Sequence, residues 1–425
     1  MKTTFIAFFI LVVFFFGCSR EESQLTFSVG GAPNEVDYWE TIIHEFEEAE
    51  NVQVNFLRQP TDTDQRRQGL VIPLKAEEDD PDVFLMDVAW VGQFSTSGWL
   101  EPLDAFIRKD GFQIDAMFQP VIEQVDRSPN GIIALPVYLD CGILYYRKDL
   151  LEKYGFDIPE TWNDLVKASE KIQGGERGNN PMFFGFVWQG AQYEGLMCNF
   201  LEYISSNGGS LGDLGKKDIT IDRKENEEAL TFMRDLIHTY KISPPNTFTE
   251  MKEEEVRHAF QSGNALFERN WPYAWKLHQS DASPVKDKVG IAILPAFAGC
   301  RSAAALGGWH IGISRFSDHK EEAWKLVSFI MSYDAQKKLA LNLGWNPGRK
   351  DIYQDAEVIN KKPEMDVLKS ALAYAVARPN VPYYSLMSSI LQRYIHAAIS
   401  GEMAPGEALS GAQGDIQKTI DSYHE

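Results

Sequence analysis

Short apolar runs recur along this chain, and stretches with helical period separate them; that alternation leaves few architectures open. VFLMD (83–87) is apolar almost throughout, as a strand buried between helix layers must be. LTFSVGG (25–31) and VQVNF (52–56) alternate apolar and polar, and GIIALPVY (131–138), NALFE (264–268), VGIAILP (289–295) and HIGIS (310–314) complete the strand-like set. Between them, NEVDYWETIIHEFEEAE puts Trp39, Ile42, Ile43 and Phe46 on one helical face, with Asn34 as the expected N-cap and Asp37 three residues on. TWNDLVKASEKI (161–172) opens with Thr161 and Asp164 at capping-box spacing, and further helical patterns cover 225–240, 320–332 and the chain from Met365. Strands alternating with helices imply an α/β fold with parallel-rich sheets. A chain of 425 residues exceeds one ordinary core and fits two domains. No Pro/Gly/Ser linker cuts it in two, which points to lobes that exchange segments.

The formal net charge of −20 opposes nucleic acid and anionic lipid as partners and suits a protein that handles uncharged small molecules. The N-terminus carries one Lys, an apolar run from Phe5 to Phe16, and then Gly17-Cys18. That run has the length of a signal-peptide core and is short for a membrane span. Residues 1–18 therefore read as an export signal ending at a lipidation site, Cys18, although Phe15 stands where such sites usually carry Leu. The other cysteines, Cys141, Cys198 and Cys300, form neither a disulfide framework nor a zinc site; they read as buried free thiols, with a Cys198–Cys300 bridge left open. Phosphate-loop, nucleophile-elbow, zincin and dinucleotide signatures are absent, and no His pair has ligand spacing. No metal and no cofactor are expected.

Polar and aromatic residues gather instead at strand ends and helix starts, where open α/β sheets bind ligands. Asp87 ends VFLMD and Asp140 ends ALPVYLD; each reads equally as a turn or cap carboxylate and as a ligand contact. Glu35 lies in a first helical turn, which the helix dipole alone explains. Trp271 precedes a Pro after a strand, and Trp309 follows two glycines that permit close approach to a ligand. Arg378, in ARPNVPYY, reads on spacing alone as a surface salt bridge. Indole faces with carboxylates and an Arg are the chemistry that holds a pyranose.

The segments GGAPNEVDYW, RQPTDTDQRR, DPDVFLMDVAW, SGWLEPLD, ALPVYLDCGILYYRKDLLEKYG, FVWQGAQYEGL, KISPPNTFTEM, ERNWPYAW, GGWHIGIS, LNLGWNPGR and ARPNVPYY follow one another through nearly the whole mature chain. In that order they resemble the extracellular solute-binding proteins that deliver sugars to ABC transporters, in particular the trehalose/maltose-binding members. The resemblance implies a periplasmic-binding-protein-like fold, with crossover hinge segments and the ligand in the cleft. One lobe would hold 25–142 and about 316–365; the other would hold 143–315 and about 366–425. It also implies a site. Glu35, Thr61, Arg66 and Asp87 would supply polar contacts, Tyr138 and Asp140 would pack against and bind the sugar, Trp271 and Trp309 would stack on its rings, and Arg378 would donate a forked pair of hydrogen bonds. Tyr145 and Tyr146 would be structural, and Cys141, a position often Ala or Thr in relatives, raises the question of reactivity beside the site. The implied role is disaccharide capture by hinge closure and delivery to permease subunits, by a monomer held extracytoplasmically through its lipid, with no nucleic acid partner. A secreted glycoside hydrolase acting on α-glucosides is the alternative, since Glu35, Asp87 and Asp140 supply acids enough; a binder of polyamine or peptide is a further one.

Overall fold

The computed structural model describes residues 24–213, 218–362 and 364–423, so the expected signal segment and Cys18 lie outside the described residues. The chain starts in the first lobe. Strand β1 (Leu25–Gly30), helix α1 (Pro33–Glu50), β2 (Val54–Gln59), α2 (Thr63–Lys75) and β3 (Val83–Asp87) form parallel units, with β1 between β2 and β3. Every residue of β3 is buried, which is why VFLMD shows no alternation. Helix α1 buries Trp39, Ile42, Ile43 and Phe46 as its period requires. Its cap differs from expectation: Ala32, not Asn34, precedes the first turn, because the Glu35 carboxylate folds back to accept from the Ala32 N–H at 2.8 Å.

Strand β4 (Leu135–Cys141) carries the chain out of the first lobe, and β5 (Ile143–Arg147) opens the second. There follow α3 (Trp162–Glu176), capped by Thr161, then β6 (Phe184–Val187), α4 (Glu194–Ser205), α5 (Lys224–His238), α6 (Glu253–Gln261), β7 (Ala265–Asn270), α7 (Ala274–His278) and β8 (Val289–Ala292). Their sheet runs β8-β5-β7-β6 and is mixed: β7 lies parallel to β6 and antiparallel to β5. Strand β9 (Ala304–Ile313) then rejoins the first sheet, antiparallel to both β3 and β4. The pairing thus sets the return at about residue 304, where the sequence had placed it after 315. HIGIS supplied the expected strand, but AALGGW extends it backwards.

Helices α8 (Lys320–Ile330) and α9 (Tyr333–Leu343) pack on α1 in the first lobe. The short β10 (Ala375–Val376) pairs with the start of β9, and α10 (Tyr384–Ser400) and α11 (Pro405–Tyr423) cover α4 and α5 in the second. One core gathers Phe27, Trp39, Phe46 and Trp324; the other gathers Tyr145, Trp162, Phe186 and Phe200. No described helix is long and apolar enough to cross a membrane.

A polar and aromatic cavity between the lobes

The carboxyl ends of β1 and β3, the first turns of α1 and α2, and the middle of β4 and β9 all face one cavity, closed on its far side by the second lobe. Its volume is about 750 Å³, counting the space open at its mouth. Glu35, Thr61, Arg66, Asp87, Tyr138, Asp140, Trp271, Trp309 and Arg378 all line it. Residues from position 35 to position 378 are brought together because β4, β9 and the segment before α10 pass between the lobes.

Glu35 is held on both oxygens. The Ala32 N–H takes one, and the Trp345 indole N–H donates to the other at 2.8 Å. Burial pushes its carboxyl above the ordinary range, against those two donors. Trp345 also stacks on Tyr138 with ring centroids 3.9 Å apart, so one indole orients two cavity side chains. Thr61 donates to the Gly31 carbonyl at 3.2 Å. Arg66 spends its donors on backbone carbonyls, Nε on Pro60 at 2.8 Å and Nη2 on Thr61 at 2.9 Å. Its guanidinium lies 4.4 Å from the Trp309 ring centroid. Arg269, fully buried on Glu202, covers Trp271 in the same way at 4.1 Å. Each indole therefore has one face against a cation.

Asp140 differs from the other carboxylates. Its Oδ1 is buried and has no hydrogen-bond partner among the described residues. Burial first, then the nearby Glu35 charge, pushes its carboxyl up to about 7 from an ordinary 3.8, despite Lys362 and Arg269. An unmatched buried acceptor of this kind is completed by a donor such as a ligand hydroxyl.

Arg378 is not the surface salt bridge its spacing suggested. It is buried, and its Nη1 donates to Glu194 of the second lobe at 2.9 Å while its Nη2 lies 2.6 Å from Asp87 of the first. The expected fork toward a ligand is thus turned on two protein carboxylates, and the Asp87–Arg378–Glu194 bridge ties the lobes at the cavity wall. Nη2 and Nε make no hydrogen bond in acceptable geometry, so donors remain. The paired glycines also act differently from expectation. A Cβ on Gly307 would sit 2.9 Å from the Trp271 ring, and one on Gly308, where φ is +129°, would sit 2.5 Å from the Tyr138 carbonyl oxygen. They let β9 pack against these protein groups while both glycines line the cavity themselves.

Tyr145 is structural, fully buried, and donates from its hydroxyl to the Trp271 carbonyl at 2.9 Å. All three described cysteines are free; Cys141 and Cys198 are buried, but Cys300 is exposed, which removes the Cys198–Cys300 bridge and the buried reading of Cys300. Burial pushes the Cys141 thiol far above its ordinary range and the Cys198 thiol up to about 12, so neither is a nucleophile at neutral pH.

Glu194, Glu253, Glu254 and Tyr273 line the cavity as well and were missed. Glu194 accepts from Arg378 Nη1 and from the Ser388 hydroxyl, the latter at 2.6 Å, partners that lie 184 and 194 residues away. Six carboxylates line the cavity against Arg66 and Arg378, an excess that repels anionic solutes.

The model of the bacterial extracellular solute-binding protein family matches residues 32–337. This chain belongs to that family. Among curated relatives, this binding protein is 36% identical over 370 residues to a probable ABC transporter-binding protein of Deinococcus radiodurans, covering 86% of each chain. Among solved structures, maltose-bound MalE3 of T. maritima superposes with a TM-score of 0.87 at 40% identity, covering 93% of this chain and 99% of the other. A solute-binding protein of Thermotoga lettingae bound to α-D-tagatose gives 0.83 at 27% identity, with 93% and 99% covered. These are solute-binding proteins and not enzymes, so the glycoside hydrolase alternative falls away.

Proposed function

We propose that this extracellular solute-binding protein captures an uncharged α-linked disaccharide of the trehalose/maltose type and hands it to the permease subunits of an ABC importer. The observation that carries the reading is the cavity itself: two indoles and an unmatched Asp140 carboxylate face one space that both lobes close. Sugar C–H faces lie against Trp271 and Trp309, and hydroxyls donate to Asp140 and Glu35. Arg66 and Arg378 are mostly committed to protein oxygens, so they shape the cavity more than they grip the sugar. Closure removes water from these groups, which strengthens each hydrogen bond, and no bond in the sugar breaks. Cys18, lipidated after export, keeps the monomer near the membrane that holds the permease. The 40% identity to a maltose-bound protein supports the disaccharide class. Calorimetric titration against trehalose, maltose, sucrose and maltotriose tests it. Saturable binding of trehalose or maltose by the wild type, lost in Trp271→Ala, supports the assignment; binding of none of them, or full affinity in that variant, overturns it.

A further inference from the structure

Two lysines of the second lobe reach partners in the first lobe without lining the cavity. Lys252, directly before Glu253 and Glu254, forms an ion pair with Asp62. Asp62 is the N-cap of α2: its Oδ1 accepts from the Gln65 N–H at 3.0 Å while Oδ2 takes the lysine. Thr61 and Thr63, on either side of Asp62, line the cavity, as Glu253 and Glu254 do. The pair therefore joins two wall segments from opposite lobes, and it stays partly exposed, at 39% for Lys252 and 16% for Asp62. At a separate point, Lys276 of α7 donates to the carbonyl oxygens of Leu341, at 3.4 Å, and Asn342, at the carboxyl end of α9. A cation there meets the negative end of a helix. Three residues beyond Asn342, that same segment delivers Trp345, which holds Glu35 and Tyr138.

We infer that Lys252 and Lys276 are positioning residues that set sugar affinity by holding the lobes shut, without contacting the sugar. The inference rests on the sugar-binding reading. Affinity scales with the population of the binding-competent state, so contacts made only when the lobes meet slow ligand release. Contacts between partly exposed charges are screened by salt. An uncharged ligand then acquires a salt-dependent affinity that its own contacts do not produce.

The test uses maltose and trehalose as probes, with stopped-flow tryptophan fluorescence between about 10 mM and about 500 mM salt. Each contact is worth about two- to five-fold in affinity. The wild type should lose about three- to ten-fold across that range, mostly in the off-rate. Lys252→Met with Lys276→Met should be weaker by a similar factor at low salt and nearly flat with salt. Asp62→Asn, which keeps the N-cap acceptor, should behave like Lys252→Met, and Lys252→Arg should restore the wild-type response. Wild-type affinity and salt response in the double variant would overturn the clamp. Failure of the wild type to bind either sugar would overturn the sugar reading instead. Small-angle scattering of the sugar-free protein then decides the clamp: a larger radius of gyration in the double variant supports it, and identical curves overturn it.

Discussion

Asp140→Asn should make the sugar-free protein more stable at pH 8 than the wild type. The Asp140 carboxyl is buried, lacks a partner on Oδ1, and titrates at about 7 where an unfolded chain gives an ordinary 3.8. Folding therefore favours the neutral acid. The stability this contributes is fully present below about pH 4 and is lost as the pH rises through 7. A difference of about three pH units at 1.36 kcal/mol each gives roughly 4 kcal/mol as an upper bound, and water in the open cavity reduces it. Asparagine keeps the shape and never ionises. Melting curves of the two proteins should nearly coincide at pH 4, diverge up to about pH 7 and then keep that gap to pH 8, with the variant higher. The difference between the two isolates Asp140 from every other titrating group. Parallel curves from pH 4 to pH 8, or a variant that is less stable at pH 8, would refute the claim that an unmatched carboxylate is held there. The same variant should bind sugar more weakly, the ordinary conflict between a strained site and a stable fold.

Three further outcomes follow from the same cavity. Sugar hydroxyls donate to ionised Asp140, so affinity for maltose should fall from pH 8 to pH 5.5, up to about ten-fold per unit below 7, and titrations at several pH values check this. Trp345→Phe removes the indole N–H that holds Glu35 but keeps an aromatic ring beside Tyr138; affinity should drop about ten-fold with little change in melting temperature, read by calorimetry beside thermal scans. Glu194→Gln leaves the buried Arg378 with half its charge partners and should cost about 3 kcal/mol in chemical denaturation, near the lower end for a broken buried pair.

The features legible in the sequence are those set by neighbours in the chain. VFLMD gave a strand with the bounds found, because complete burial leaves a run of apolar residues that Pro81 precedes and Asp87 ends. Thr161 showed its cap through a residue three positions away. All nine implied site residues reached one cavity, but through the resemblance of whole segments, since spacing alone left Arg378 at the surface and Glu35 as a dipole carboxylate. What stayed hidden depends on distant partners. Trp345 meets Glu35 across 310 residues, and Glu194 passed unassigned inside QYEGL because Arg378, 184 residues later, defines it. The Gly307-Gly308 pair was visible, yet only the fold shows that the Trp271 ring and the Tyr138 carbonyl need the space.

A crystal structure of the protein grown with maltose or trehalose tests the central claim most directly. The account expects one disaccharide between the lobes, its apolar face against Trp271 or Trp309 and a hydroxyl within hydrogen-bond distance of Asp140 Oδ1. A sugar bound elsewhere on the surface, with the cavity holding only water, would contradict it.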